Sequence, residues 1–158
     1  MEKLVFDSGV KEYQIGDSGV LRFNPSDPNV YARFMEAMDS IQAVEGKLVA
    51  EAKELEQMNG AENSGAAVLK LMAKADREIK EILSRIFGGD NDFDKILGGV
   101  NLLAVAGNGE RCITNLLNAL QPIMVAGAEN CAKRQAGAAV AAAKQNRAQR
   151  RAKKRKHR

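Results

Sequence analysis

The fold is decided by residues 66–89, which read AAVLKLMAKADREIKEILSRIFGG. Apolar side chains recur there at alternating spacings of four and three positions: Val68, Met72, Ala75, Ile79, Ile82 and Ile86. This spacing places all of them on one face of a helix with 3.6 residues per turn. Two glycines, Gly88 and Gly89, then offer a positive φ and a cap for the last carbonyls. The stretch predicts an amphipathic helix over residues 65–87.

A second long helix is predicted before this one. Asp27 stands where an N-cap residue accepts a backbone hydrogen bond, and Pro28 stands at the first helical position, where a missing N–H is tolerated. Apolar residues then recur at spacings of three, four and seven: Val30, Phe34, Ala37, Ile41, Val44, Leu48, Leu55 and Met58. The pattern predicts a helix over 28–58, and the composition of residues 59–65 predicts a loop after it.

Residues 1–23 carry the signals of a small β element. Three short β-prone runs, at 4–6, 13–15 and 20–23, alternate with the turn-forming runs at 7–9 and 16–19. Glycine accepts the positive φ that tight turns need, so a hairpin or meander is expected. Because an isolated two-stranded unit is marginal in water, this element should pack on the helices or pair with another chain.

The rest of the chain is predicted to be helical as well. A short helix at about 92–97 is followed by a helix at about 110–130, whose apolar residues are Ile113, Leu116, Leu117, Leu120 and Ile123. Pro122 should bend or restart this helix, because it removes a backbone donor and crowds the preceding turn. Residues 128–152 have good helix propensity but no large apolar face. We therefore expect a frayed or disordered tail that becomes helical on a partner.

Charge divides the chain into two parts. Residues 1–132 hold 13 Lys and Arg against 20 Asp and Glu, a net charge of −7, whereas residues 133–158 hold 11 basic residues and no acidic one. Such asymmetry is typical of an interaction tail. The eight basic residues expected to carry the electrostatic contacts are Arg147, Arg150, Arg151, Lys153, Lys154, Arg155, Lys156 and Arg158.

Composition favours a mainly α fold. Aromatic residues make up only 4% of the chain and there is no Trp, so the core must be aliphatic and alanine-rich. With room for one modest domain, we predict a helical bundle with a small N-terminal β-hairpin or meander over residues 1–132, and a basic, flexible tail over 133–158. Methionines could also form an adaptable binding surface, although core filling is the favoured interpretation for Met35, Met38, Met58, Met72 and Met124.

The sequence also bears on chemistry and compartment. Cys112 and Cys131 are the only cysteines and have no histidine nearby, so neither a zinc site nor a disulfide framework is expected, and a reduced cytosolic environment fits. We find no signal peptide and no membrane-spanning run, so we expect an intracellular protein with no membrane partner.

No catalytic, metal or cofactor site is expected. Asp90, Asp92 and Asp94 alternate like calcium ligands, but the required glycine and glutamate are missing downstream, so helix capping by Asp90 or Asp92 is the better interpretation. The Gly-Asn-Gly run at 107–109 lacks the rest of a phosphate-binding loop and predicts a turn. The only histidine, His157, lies in the tail. We therefore do not expect an enzyme.

The order of elements resembles that of the tail assembly chaperones of long-tailed bacteriophages and prophages. The resemblance covers most of residues 20–151 and lies in four pieces, quoted in one-letter code: FNPSDP at 23–28 before a helix with Tyr31 and Phe34, IFGGD at 86–90, DKILG at 94–98, and the basic ending NRAQRR at 146–151.

The resemblance implies a non-enzymatic, mostly helical protein in the cytoplasm of the bacterial host, which is not expected in the mature virion. Such a protein binds the tape measure protein, keeps it soluble and helps to recruit tail tube protein. An apolar stripe on the first long helix could cover a helix of this client. Its candidate residues are Phe34, Met38, Ile41, Val44 and Leu48.

Two other functions remain open at this point. The tail could neutralise phosphates, which would make the protein a helical nucleic-acid-associated protein without sequence preference; alternatively, the tail docks on an acidic protein or only aids solubility. The β element could instead pair between subunits, which would make the protein a structural, oligomer-forming phage protein.

Overall fold

The computed structural model describes residues 1–17 and 19–156, and it is mainly α. Two short strands are followed by four helices: β1 (Lys11–Ile15), β2 (Gly19–Phe23), α1 (Pro28–Asn59), α2 (Ala61–Phe87), α3 (Phe93–Ile96) and α4 (Cys112–Lys156). The predicted fold class, a helical fold with a small N-terminal hairpin, is confirmed. His157 and Arg158, predicted to belong to the tail, lie outside the described residues, as does Ser18 in the predicted 16–19 turn.

The two long helices α1 and α2 form a helical hairpin that holds most of the core. The predicted start of α1 is confirmed, because Pro28 is its first residue and the Asp27 carboxylate accepts a hydrogen bond of 2.8 Å from the backbone N–H of Asn29. The buried apolar residues on α1 follow the predicted stripe: Val30, Phe34, Ala37, Ile41 and Leu48. On α2 the agreement is partial. Ala75, Ile79 and Ile86 are buried as predicted, Val68, Met72 and Ile82 are only half-buried, and Leu83 and Phe87, which lie outside the predicted stripe, are buried.

The predicted loop at 59–65 is wrong. Only Gly60 separates the two helices, with a φ of 77° that an L side chain rarely adopts, and its N–H caps α1 by donating to the Glu56 carbonyl. The polar residues that indicated a loop bond to the backbone within the helical turn instead: Asn63 donates to the Asn59 carbonyl, and the buried Ser64 hydroxyl donates to the Ala61 carbonyl.

The β-hairpin formed by β1 and β2 packs on the C-terminal end of α2 through a row of aromatic rings. Its strands are antiparallel, with Tyr13 opposite Leu21 and Glu12 opposite Arg22. Tyr13 stacks on Phe23 at 4.9 Å between ring centroids, Phe23 meets Phe87 at 4.7 Å, and Phe87 meets Phe93 at 5.8 Å. The row joins β1, β2, α2 and α3, which supplies the packing that an isolated hairpin lacks.

The first β-prone run is not a strand. Residues 1–10 carry no regular secondary structure, and Leu4, Val5 and Phe6 are 89%, 79% and 75% exposed. The prediction of a strand at 4–6 is therefore wrong for this chain alone. The run has strand propensity but no neighbouring backbone to pair with, and pairing is what stabilises a strand.

Helix α4 does not restart at Pro122, and it is longer than predicted; a bend at Pro122 stays a prediction. It passes through Pro122 without a restart, since both Pro122 and the residue four positions earlier, Asn118, are exposed, and water can bond the carbonyl that the proline leaves unpaired. It also continues to Lys156, so the expectation of a frayed or disordered tail is wrong as far as residue 156. Alanine, glutamine, lysine and arginine are good helix formers, and the tail extends a helix already nucleated in the body.

Candidate functional site: an apolar groove beside the hairpin

An open groove of about 630 Å³ lies between the hairpin, residues 96–100 and the first half of α4. We call it the hairpin groove. Its apolar lining comes from Tyr13, Ile15, Leu97, Leu116, Leu120 and Ile123. Burial raises the pKa of the Tyr13 phenol above its usual value. The groove offers apolar surface together with a strand edge.

Asn91 fixes the hairpin against α2. Its buried side chain accepts a hydrogen bond of 2.9 Å from the Arg22 backbone N–H and donates one of 2.8 Å to the Arg22 carbonyl, so it bonds β2 as a neighbouring strand would. It also donates to the Phe87 carbonyl at 2.8 Å, which caps the end of α2. The Ser84 hydroxyl donates to the Asn91 carbonyl at 3.1 Å and holds the loop in place. One amide therefore sets where the hairpin wall of the groove stands.

Close backbone contact between β2 and α3 also fixes the hairpin wall of the groove. Gly19 begins β2 against the carbonyl of Ile96 at the end of α3, and the space that a Cβ would need is already filled. Gly127 has the same role on α4, where the helix backbone lies against the carbonyl of Pro25. Both are sites at which only glycine allows the approach.

A buried ion pair fixes the loop between α3 and α4. Lys80 Nζ lies 2.8 Å from Asp76 Oδ2 and 2.7 Å from Asp94 Oδ1, and the second Asp76 oxygen accepts a 2.7 Å hydrogen bond from the backbone N–H of Leu102. Burial alone would lower the pKa of Lys80, but the hydrogen bonds and charges of the two carboxylates outweigh it, and the pKa lies above its ordinary value. The charged network ties α2 to α3 and to the 97–111 loop.

The loop in turn positions the start of α4. Backbone N–H groups of Cys112 and Ile113 donate to the carbonyls of Ala104 and Leu102 at 2.9 and 2.7 Å. The guanidinium of Arg111 reaches Glu45 on α1 at 3.1 Å. The first turn of α4, which forms the far wall of the groove, is therefore held from two sides.

The predicted partner-binding stripe is not a free surface. Phe34, Ile41 and Leu48 are between 2% and 8% exposed, and Met38 and Val44 are half-buried against the same core. Three of the five side chains are buried in the protein's own core and two are half-buried, so little of the stripe is free; its role in partner binding stays a prediction. An apolar stripe indicates that a helix face is covered but not whether the cover comes from the same chain or from a partner.

The basic residues of the tail lie on the exposed second half of α4. From Ala132 to Lys154 every side chain is exposed, including Arg147, Arg150, Arg151, Lys153 and Lys154, and α4 extends through Arg155 and Lys156. Arg158 lies outside the described residues. At 100° per residue, five basic residues fall on one side of this helix: Lys133, Lys144, Arg147, Arg151 and Lys154.

Local geometry explains two sequence features that first suggested a site, the aspartates at 90–94 and the Gly-Asn-Gly run at 107–109. Asp92 caps α3 as predicted, accepting hydrogen bonds from the backbone N–H groups of Asp94 and Lys95, and the Lys95 side chain beside it lowers the pKa of its carboxyl. Gly109 donates to the Ala106 carbonyl at 3.0 Å, which confirms the predicted turn. Within residues 1–17 and 19–156, no group of three His, Cys, Asp or Glu side chains could hold a metal ion.

The methionines divide between core and surface. Met124 is fully buried and Met38 and Met72 are half-buried, as core filling predicts, whereas Met35 and Met58 are 51% and 80% exposed. Core filling is therefore confirmed for three of the five, and the exposed pair does not line the hairpin groove.

Sequence reasoning missed the groove and the amide that shapes it. The periodic residues Leu116, Leu120 and Ile123 showed that α4 has an apolar face, but the sequence has no signal that this face opens toward β1. Asn91 could have been noticed as a single amide within an acidic run, between Asp90 and Asp92. Arg22 is 69 positions away from it, so its bonds to Arg22 follow from tertiary structure alone.

The described part of the chain contains no helix that is long and apolar enough to cross a membrane. No family model, curated protein or solved structure matches the chain.

Proposed function

We propose that this protein is a non-enzymatic tail assembly chaperone of a long-tailed bacteriophage or prophage. It binds the tape measure protein, keeps it soluble and helps to recruit tail tube protein in the host cytoplasm. Two things support the proposal. One is the resemblance of residues 20–151 to that family, and the other, which carries the structural part, is the open apolar hairpin groove.

The groove has the properties that a helical client requires. Its walls are mostly apolar, with Gln14, Asp17 and Asn115 as polar lining residues, and at about 630 Å³ it holds several side chains of an amphipathic helix. Its rim on α4 is formed by the small, exposed Ala119, which lets a client backbone approach closely. A long client with recurring apolar residues presents many equivalent registers to such a groove, and an apolar pocket tolerates them because it reads few polar contacts.

We therefore propose the hairpin groove, and not the α1 stripe, as the client site. Recruitment of tube protein is assigned to another surface, since the client would occupy the groove.

A matched pair of variants on adjacent residues tests this placement. Ala119→Glu puts a charge at the apolar rim without removing any core side chain, whereas Asn118→Glu puts the same charge on a neighbouring exposed residue that does not line the groove. We expect Ala119→Glu to lower the yield of soluble tape measure protein on co-expression at least several-fold, and Asn118→Glu to leave it unchanged. Equal yields with both variants would place the client elsewhere.

A nuclease-treated pull-down from cells that express the tail genes tests the function itself. The full chain and a version ending at Ala132 should both recover the tape measure protein, identified by mass spectrometry, because the hairpin groove lies within residues 13–123. Recovery of ribosomal or nucleoid components alone, and only with the full chain, would contradict the chaperone function.

One observation favours a second candidate, association with nucleic acid. The last turns of α4 present Lys133, Lys144, Arg147, Arg151 and Lys154 on one side of an exposed helix, a spacing that can track a phosphate backbone. The affinity for duplex DNA should then fall linearly on a log–log plot against salt and should be lost in the version ending at Ala132. DNA binding that survives the truncation would remove the support for this function.

A further inference from the structure

Residues 4–6 are an apolar segment without a partner. Leu4, Val5 and Phe6 are consecutive, β-prone and more than 70% exposed, and they precede a strand that forms the edge of a two-stranded sheet. Three consecutive large apolar side chains in water are unfavourable and are typical of a segment that is covered in its functional state.

The free edge of β1 can be identified from the contacts of β2. Both backbone groups of Arg22 bond to the Asn91 side chain, so they point away from β1, and the Arg22–Glu12 pair is a non-hydrogen-bonded pair of the ladder. By alternation, the N–H and C=O groups of Glu12 and Gln14 then point away from β2. Among the described residues, no backbone group outside the hairpin bonds to them.

The free edge borders the hairpin groove. Tyr13 and Ile15 face the core side of the hairpin and line the groove. Gln14, whose backbone forms part of the free edge, also lines the groove. A strand added beside β1 would place every second side chain over the groove, next to Tyr13. Leu4 and Phe6 are two residues apart, so both can face that way at once.

Ladder geometry selects the direction, and charge selects the register. Antiparallel pairing is slightly more stable per residue than parallel pairing, so antiparallel addition is favoured. Of the two antiparallel registers that set Leu4 or Phe6 directly beside Tyr13, one sets Asp7 directly opposite Glu12, a repulsive pair. The other sets Val5 opposite Glu12 and Lys3 opposite Gln14, diagonal to the Glu12 carboxylate, with Leu4 beside Tyr13 and Phe6 beside Lys11.

The segment is held away from its own β1 edge. Ser8 and Gly9 lie against Asn24, which follows β2: the Asn24 amide donates to the Ser8 carbonyl at 3.0 Å, and a Cβ on Gly9 would collide with the Asn24 side chain. The Gly9 N–H also donates to Asp7 at 2.8 Å. Residues 1–7 therefore leave from the β2 side of the hairpin, whereas the free edge is on the opposite side of β1.

We propose that residues 3–6 of one copy add as an antiparallel strand to the β1 edge of a second copy, with Leu4 entering its hairpin groove beside Tyr13 and Phe6 lying on the same face beside Lys11. Reciprocal exchange of the two segments makes a twofold-symmetric dimer. The segment and a client helix would compete for the same groove, so client binding would release the dimer. Self-association is measured on the purified protein alone, so its outcome is separate from that of client binding.

Two substitutions of the same residue test the pairing. In the proposed register the Val5 N–H donates to β1 of the partner copy, so Val5→Pro removes a ladder hydrogen bond, whereas Val5→Ala keeps it. The double variant Leu4→Asp with Phe6→Asp removes the groove contacts instead. All of these residues lie outside the core, so the body of each variant folds normally.

Light scattering over a range of concentrations gives the mass of each variant. We expect twice the 17.1 kDa of one chain for the wild type and for Val5→Ala, and the single-chain mass for Val5→Pro and for the double Asp variant. A wild type that stays monomeric at every concentration would overturn the proposal, as would a dimer that Val5→Pro leaves intact. Hydrogen exchange adds a further check, because a monomer with protected Glu12 and Gln14 amides would show that the segment folds onto its own chain.

Discussion

The two halves of α4 have the same secondary structure but different reasons for it. The first half buries Ile113, Leu116, Leu120 and Met124 and lies against Pro25 at Gly127, whereas every side chain from Ala132 to Lys154 is exposed. Packing stabilises the first half, and propensity together with continuity stabilises the second.

The packed half of α4 therefore helps to form the hairpin groove, whereas the exposed half does not contribute to it. The hairpin groove depends on the packed half of α4, on Asn91 and on the Lys80 network, all within the acidic body. The exposed half contributes charge. Substitutions that disturb the body should therefore affect stability strongly, and equivalent changes in the exposed half should not.

The largest difference in the free energy of unfolding is expected between variants that place an aspartate in the first or in the second half of α4. Met124→Asp buries an unpaired carboxylate at a fully enclosed position and should lower the free energy of unfolding by more than about 4 kcal/mol. Val140→Asp, at a 55% exposed position of the same helix, should change it by less than about 0.5 kcal/mol. Urea denaturation of both variants measures the difference, and equal losses would refute the contrast.

Breaking the buried ion pair should rank next. Lys80→Met leaves the Asp76 carboxylate buried without its cation and should cost about 3–5 kcal/mol. Exchanging the exposed Arg85, which is paired with Glu81 at 3.8 Å, for Met is the surface control and should cost less than about 1 kcal/mol. A Lys80 variant as stable as the control would show that the network does not hold the loop.

The pH dependence of stability gives an independent test of Lys80. Its pKa in the folded protein is raised above the ordinary value of 10.5, so its contribution is complete below that pH and is lost as pH rises through the folded pKa. The raised pKa of Tyr13 acts in the same direction from its ordinary value of 10.0. The unfolding free energy of the wild type should fall at alkaline pH, and the fall should be smaller in Lys80→Met. Parallel pH profiles would contradict the assignment.

A smaller loss is expected at the amide that holds the hairpin. Asn91→Ala leaves the Arg22 and Phe87 backbone groups without their partners and should cost about 1–3 kcal/mol. Asn108→Ala removes an exposed amide that bonds to Glu110 in its own turn and to the Asn115 side chain on α4, and should cost less than about 1 kcal/mol. Amide exchange at β2 should accelerate in the Asn91 variant alone.

The smallest effect is expected from removing the exposed half altogether. A chain that ends at Ala132 loses only exposed side chains over residues 133–154, so its unfolding free energy should change by less than about 0.5 kcal/mol. A larger loss, measured by denaturation of the two chain lengths, would show that residues 133–158 support the body.

The sequence predicts those parts of the fold that depend on local pattern. Helix α1 was placed within one residue because Asp27 and Pro28 mark its start, and the period of α2 identified its core face. The loop predicted at 59–65 failed because Asn63 and Ser64 bond within a helix as well as within a loop. The sequence did not predict that the tail is helical up to residue 156. A helix that continues past residue 132 depends on the packed helix before it, which is not a local property of the sequence.

The candidate site was beyond local pattern for a related reason. The residues of the α1 stripe are apolar and periodic whether α2 or a client covers them, and only the structure shows that α2 does. The hairpin groove joins residues from 13 to 123, and its shape depends on Asn91 bonding to Arg22 across 69 positions. No spacing in the sequence records that contact.

Thiol labelling tests the client site most directly. Cys112 lines the hairpin groove, whereas Cys131 is half-buried farther along the same helix and serves as an internal control. With the tape measure protein bound, alkylation of Cys112 should slow at least several-fold while that of Cys131 stays unchanged, as measured by mass spectrometry. A stable complex in which Cys112 reacts at its free rate would contradict the assignment of the groove as the client site.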